Sequence, residues 1–233
     1  MNLGYLLLRI PNAVIRTSRG WTGRPVVYVH PAGICPALQR LDESYLAIKE
    51  EYLALRARLD RIPRYHEVDP RQHDLSQSAA PARSWRVLFL ESMGLKVAAN
   101  RLLCPRTAAV LDEIPGVFQA FFSVLEGGKS LPAHESPYCG YLRYHLALEV
   151  PSQGPEPRMR VRDQWVTWRE GSGFLFDDSW EHELINENER LRSVLIVDVA
   201  RPMGRIGRLA HRLTVSVMRL VYAPKVIAHG SVF

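Results

Sequence analysis

YLRYHLALEV, residues 141–150, is the run on which the fold turns. Successive side chains of an extended chain point to opposite faces. Tyr141, Arg143, His145 and Ala147 therefore share one face, and Leu142, Tyr144, Leu146 and Leu148 the other. In a barrel one of these faces lines the interior. Helices outside can cover the leucines, which leaves Arg143 and His145 looking into the mouth, where a ligand can sit. The runs around it have the same texture. VFQAFFSVLE (117–126), RMRVRD (158–163), WVTWRE (165–170), GFLF (173–176) and LRSVLIVDV (191–199) are short and rich in Val, Leu and aromatic residues. Glycine and proline separate them in GGKSLP and PSQGPEP. Strands at such spacing predict a mainly β chain closed into a sandwich or small barrel. Trp165 and Trp168 read as packing residues.

The rest of the chain reads as support. Leu41, Tyr45, Ile48, Tyr52, Leu55 and Leu59 recur at steps of four and three, predicting a helix over 41–59. Residues 64–84, polar and with two prolines, read as a long loop, and Pro105 opens a short helix near 106–113. The division expected is an N-terminal extension (1–40), a helical and loop support region (41–116), a catalytic core (117–203) and a basic amphipathic helix with its tail (204–233).

With 233 residues and 47% hydrophobic against 23% charged, the chain can bury a substantial core. Cys35, Cys104 and Cys139 match no metal-binding spacing, so a reducing cytoplasm with buried thiols is expected. Arg9 and Pro11 interrupt the apolar start MNLGYLLLRIPNAVIR, so neither a span nor a leader peptide is expected. The net charge of +6 is uneven: five arginines and one lysine lie between Arg201 and Lys225, with no acidic residue. Over 206–221, Ile206, Leu209, Leu213, Val217 and Leu220 form one stripe. The ordinary use of such a helix is to lie on its own domain; the other is peripheral contact with an anionic membrane. Nucleic acid is not an expected partner, because no aromatic–basic interleaving is present.

The chemistry lies in two separated clusters, HES (134–136) and FDDSWEHELIN (176–186), with Arg192 following the second. Two histidines on separate strands beside arginines are what a mononuclear iron site in a β-barrel needs. Imidazole suits Fe(II), and an arginine can clamp a carboxylate through two hydrogen bonds. The spacing alone also fits histidines that are merely satisfied in a core.

Five motifs in order, from Ile62 to Met203, decide between these readings: IPRYHEVDPRQ, NRLLCPRTAAVLDEIPGV, FFSVLEGGKSLPAHESPYCGYLRYHLAL, FDDSWEHELIN and RSVLIVDVARP. Together they resemble the aspartyl/asparaginyl β-hydroxylases. The resemblance implies a double-stranded β-helix (a jelly-roll, cupin-like barrel) with flanking helices, and an Fe(II)- and 2-oxoglutarate-dependent dioxygenase. It implies His134 and His182 as metal ligands. Arg192 with Ser123 would take the distal carboxylate of 2-oxoglutarate, Arg143 with His145 its other end, and Asp178 would orient a water near the metal. Asp177 reads as a turn cap. Related dioxygenases complete the metal site with an Asp two residues after the first histidine; here that position is Ser136, and Glu135 should point away. The expected activity is hydroxylation of a C–H bond in an Asp/Asn-like residue or a small amino-acid-derived substrate, free or within a peptide, releasing succinate and CO2. Hydroxylation of a lipid A acyl chain at a membrane surface is the alternative, and a non-catalytic binding module on the same fold the least favoured.

Overall fold

Strand β6 (Tyr141–Glu149) lies third from one edge of a seven-stranded antiparallel sheet. The computed structural model describes residues 3–17, 23–28, 30–77 and 83–230. The sheet runs β1 (Val27–Tyr28), β9 (Gly173–Phe176), β6, β11 (Arg192–Ala200), β4 (Val117–Leu125), β2 (Trp85–Ser92) and β3 (Leu95–Lys96). A second sheet of four strands runs β5 (Leu131–His134), β10 (His182–Ile185), β7 (Arg158–Val161) and β8 (Gln164–Thr167). The chain passes between the sheets as it goes from β4 to β5, β5 to β6, β6 to β7, β8 to β9, β9 to β10 and β10 to β11, which is the winding of a double-stranded β-helix.

The two faces of β6 divide as their alternation predicts. Leu142, Tyr144, Leu146 and Leu148 join an outer core with Leu41, Ile48 and Tyr52 from the helical side, and with Phe122 and Leu195 from neighbouring strands. Ala147 joins an inner core between the sheets, with Phe121, Val194 and Ile196 of the large sheet and Met159, Val161 and Leu184 of the small one. Period-2 patterning thus produces two cores from one sheet.

Nine α-helices frame the sheets among the described residues: α1 (Leu3–Arg16), α2 (Gln39–Glu43), α3 (Tyr45–Arg56), α4 (Tyr65–Val68), α5 (His73–Ser76), α6 (Ala98–Leu102), α7 (Pro105–Asp112), α8 (Arg205–Val221) and α9 (Ala223–Gly230). Three expectations shift. The helix expected over 41–59 breaks at Ser44 and ends at Arg56, although its stripe still packs on β6. Residues 64–77 are not a slack loop: Tyr65 and Val68 enter the inner core, and the Asp69 carboxylate caps the following turn at Arg71. Residues 78–82 of that stretch lie outside the described residues. Strand β2 also brings WRVLFLES into the sheet from within the expected support region. Pro11 does not end α1, which runs through it. All three cysteines carry free thiols, and Cys104 and Cys139 are buried.

Candidate active site

On the small sheet, β10 pairs with β5 so that His182 stands opposite His134. Their ring centroids are 4.2 Å apart. His134 Nδ1 lies 2.7 Å from the Pro132 carbonyl and His182 Nδ1 2.9 Å from the Trp180 carbonyl. A carbonyl only accepts, so each Nδ1 carries the proton and each Nε2 keeps its lone pair. That tautomer, fixed by a backbone hydrogen bond, is the one a metal-binding imidazole uses. Burial favours the neutral form of both rings and pushes His182 down to about 3, with His134 beside it adding to the effect.

On the large sheet the inward phase of β4, β6 and β11 aligns Ser123, His145 and Arg192. Arg192 is 1% exposed, and its guanidinium lies 3.8 Å from the Trp168 ring centroid. No carboxylate pairs with it among the described residues, and its Nε has no partner. Burial pulls its pKa down to about 9. The Trp168 Nε1–H and Arg192 Nη2 each lie 3.4 Å from His145 Nδ1. Both are donors, so Nδ1 accepts and the proton sits on Nε2, a buried atom with no partner. Burial, then Arg192, holds this imidazole neutral. Ser123 Oγ accepts from the Trp85 indole at 2.9 Å, leaving its own hydrogen to donate. An uncompensated cation, a ring N–H and a hydroxyl therefore converge on the inner wall.

Arg143 is already neutralised. Asp198, opposite it on β11, accepts two hydrogen bonds of 2.8 Å from its Nε and Nη2, and Gln119 Nε2 adds a third at 3.1 Å. Its remaining nitrogen, Nη1, is 3.3 Å from Asp178. Asp178 is fully buried, and neither of its oxygens has a hydrogen-bond partner. Burial, only partly offset by Arg143, pushes this carboxyl up to about 7. Asp177 does cap its turn, accepting from the Ser179 amide and hydroxyl, and it also pairs with Arg24 and Arg201.

No cluster of three or more His, Cys, Asp or Glu side chains suited to a metal is present among the described residues. Glu135 is exposed, and the Ser136 hydroxyl hydrogen-bonds the Tyr141 hydroxyl at 2.6 Å. The donor set consists of two imidazoles with open lone pairs. It fits a divalent ion such as Fe(II) that keeps further positions for a chelating co-substrate and water.

A cavity of about 810 Å³ opens at the histidine pair. His134, His182, Asp178 and Arg143 line its inner end, and Leu8, Val14, Leu213 and Val217 of α1 and α8 line its outer walls. The sequence reading missed Asp198, Trp85 and the part played by Trp168. Asp198 had one usable signal: it sits in phase with Arg192, Val194 and Ile196 on a strand whose inward face carries the site.

The family described as "Aspartyl/Asparaginyl beta-hydroxylase" matches residues 42–202. An ornithine lipid ester-linked acyl 2-hydroxylase from Rhizobium tropici is 36% identical over 189 residues, covering 81% of this chain and 65% of that protein. The aspartyl/asparaginyl beta-hydroxylase of Homo sapiens is 33% identical over 103 residues, 42% of this chain and 13% of that protein. Among solved structures, a Pseudomonas putida prolyl-4-hydroxylase aligns with a TM-score of 0.40 and 15% identity over 67% of this chain and 87% of that one.

Proposed function

Because this chain belongs to the aspartyl/asparaginyl β-hydroxylase family, we propose that it is an Fe(II)- and 2-oxoglutarate-dependent hydroxylase acting on the aliphatic chain of a lipid. The observation that carries the co-substrate is Arg192. A buried charge without a partner costs several kcal/mol, and an arginine–aromatic contact returns only about 2. The imbalance supports a carboxylate-bearing ligand completing the site, and the Ser123 hydroxyl and His145 Nε2–H are placed to help hold it. His134 and His182 would hold the metal, which together with 2-oxoglutarate supplies the oxidising power that no side chain has. Arg143, held by Asp198, would hold Asp178, which lines the cavity with the two histidines, as a hydrogen-bond acceptor for a bound water.

The cavity supports the acyl-chain reading over the Asp/Asn one. An aspartyl side chain needs a cation to receive it, and Arg71, which lines the cavity, is already bonded to Asp69 through two nitrogens. The apolar walls on α1 and α8 instead suit a chain of methylenes, and a volume near 800 Å³ lies within the ~300–1,000 Å³ usual for ligand pockets. The name of the rhizobial relative agrees with this reading.

The test supplies purified protein with Fe(II), oxygen, 2-oxoglutarate and a bacterial lipid extract. Succinate formation coupled to lipids gaining one oxygen atom is expected. Succinate with no oxidised lipid, but with an oxidised Asp- or Asn-containing peptide, would overturn the substrate and leave the chemistry standing.

A further inference from the structure

The stripe Ile206, Leu209, Leu213, Val217 and Leu220 does not cover the domain. Helix α8 packs on the protein through the opposite side, where Gly207 is buried, Tyr138 and His211 share a hydrogen bond of 2.8 Å, and Met218 meets a small core with Phe118 and Tyr141. The apolar stripe faces outward: Ile206 is 76% and Leu220 78% exposed. Helix α1 lies against α8 and adds Leu7 and Ile10 to the same surface, with Ile10 76% exposed. Both ends of α8 are anchored. Arg201, just before it, is buried and paired with Asp177, and Val226 of α9, just after it, is buried in the inner core.

Leaving so much apolar side chain in water is unfavourable, and the charges around it indicate what covers it. All 24 acidic residues lie between Asp42 and Asp198. Both α1 and α8 come from the acid-free ends of the chain. Arg205, Arg208 and Arg212 of α8 are exposed and, at steps of three and four, form a row beside the stripe. An apolar stripe edged by arginines, on two helices that carry no carboxylate of their own, complements an anionic lipid surface, although Glu135 and Asp74 line the cavity beside them. A second copy of the chain would set these arginine rows against each other. No helix among the described residues is long and apolar enough to cross a membrane.

We infer that α1 and α8 form a docking platform that seats the protein on an anionic bilayer, with the cavity mouth between them facing the lipid. The outer walls of the cavity and the exposed stripe share Leu213 and Val217 of α8, so an acyl chain would pass from bilayer to histidine pair without crossing water. That the cavity takes a lipid chain rests on the function proposed above; that the surface binds lipid does not.

The experiment is co-sedimentation of the full chain with vesicles of phosphatidylcholine alone or mixed equally with phosphatidylglycerol, without iron or 2-oxoglutarate. Binding to the mixed vesicles is expected, weakening as salt rises. The triple variant Arg205→Glu, Arg208→Glu, Arg212→Glu should lose roughly a hundredfold or more in partitioning, at about 1 kcal/mol per surface cation. The triple variant Ile206→Ser, Leu209→Ser, Leu220→Ser, which touches no cavity-lining residue, should also detach, with its melting temperature not lowered. Failure of the unaltered chain to bind mixed vesicles overturns the inference. So does a concentration-dependent dimer that the serine variant abolishes, because a second copy would then cover the stripe. A chain that forms succinate yet ignores vesicles sinks the docking alone, and one that docks but never consumes 2-oxoglutarate sinks the hydroxylase reading alone.

Discussion

Arg192 and Arg143 face the same interior, yet their surroundings give them opposite roles. Arg143 has its carboxylate in Asp198; Arg192 has only an indole face and an imidazole nitrogen. Replacing Arg192 with Leu should therefore not lower the melting temperature of the protein without ligand. It should weaken 2-oxoglutarate by ~30-fold or more, the ~2–3 kcal/mol of a charge-assisted clamp. Melting curves with and without 2-oxoglutarate check both halves, and a large loss of stability in the free protein would mean Arg192 is structural. Asp198→Asn has the contrasting signature. It leaves Arg143 buried beside only Asp178, and breaking such a pair costs ~3–5 kcal/mol in urea unfolding whether or not co-substrate is present. The sequence made Arg143 and Arg192 look alike, since both are arginines on strands near a histidine. Only the register of β6 against β11, set across 55 residues, separates them.

At the scale of elements, two turns lock the strands that carry the site. Gly127, in the turn from β4 to β5, approaches the turn from β10 to β11 so closely that a Cβ would lie 2.0 Å from the Glu189 carbonyl oxygen. The neighbouring Gly128 amide donates to the Asn188 carbonyl at 2.7 Å. Backbone cannot yield there as a side-chain tip can. Gly127→Ala should thus cost at least the ~1–3 kcal/mol of ordinary overpacking. Because Ser123 and Arg192 lie just beyond these turns, 2-oxoglutarate should weaken too, as isothermal titration would show; a full-affinity, full-stability variant would mean the turns move freely. The elements differ in how legible they were. β6 announced both faces, because a strand with two different interiors must alternate. β2 was hidden because WRVLFLES is apolar on both sides of its pleat and follows a polar, proline-containing stretch. For α8 the stripe itself was readable, but a helical wheel shows only that an apolar face exists. Which side meets the domain is decided by Gly207, His211 and Met218, small or partly polar residues that a hydrophobicity pattern passes over.

Across the whole molecule, the site concentrates groups that burial holds neutral, and this sets how stability follows pH. His134, His145 and His182 all titrate below their ordinary value in the folded chain, His182 near 3. The unfolded chain takes up a proton at each near pH 6.5, the folded chain only at lower pH. Their stabilisation is therefore complete above that pH and is lost as pH falls through it, at about 1.4 kcal/mol per unit for each. Asp178 acts in the opposite sense. Folded it binds its proton near 7, unfolded only near 3.8, so it gains stability for the fold as pH falls between those values. At the site three histidines stand against one carboxyl; elsewhere His66 and His211, lowered by burial, add to the histidines, while Asp42 and Glu91, raised by burial, side with Asp178. The metal-free protein should unfold at distinctly lower urea near pH 5.5 than near pH 7.5, and Asp178→Asn should steepen that loss by removing the opposing carboxyl. Fe(II) should raise the urea midpoint at both pH 7.5 and pH 5.5, since the folded His182 keeps its Nε2 lone pair down to about pH 3. A profile flat from pH 7.5 to 5.5 in the metal-free chain would mean that burial does not hold these imidazoles neutral in the folded protein.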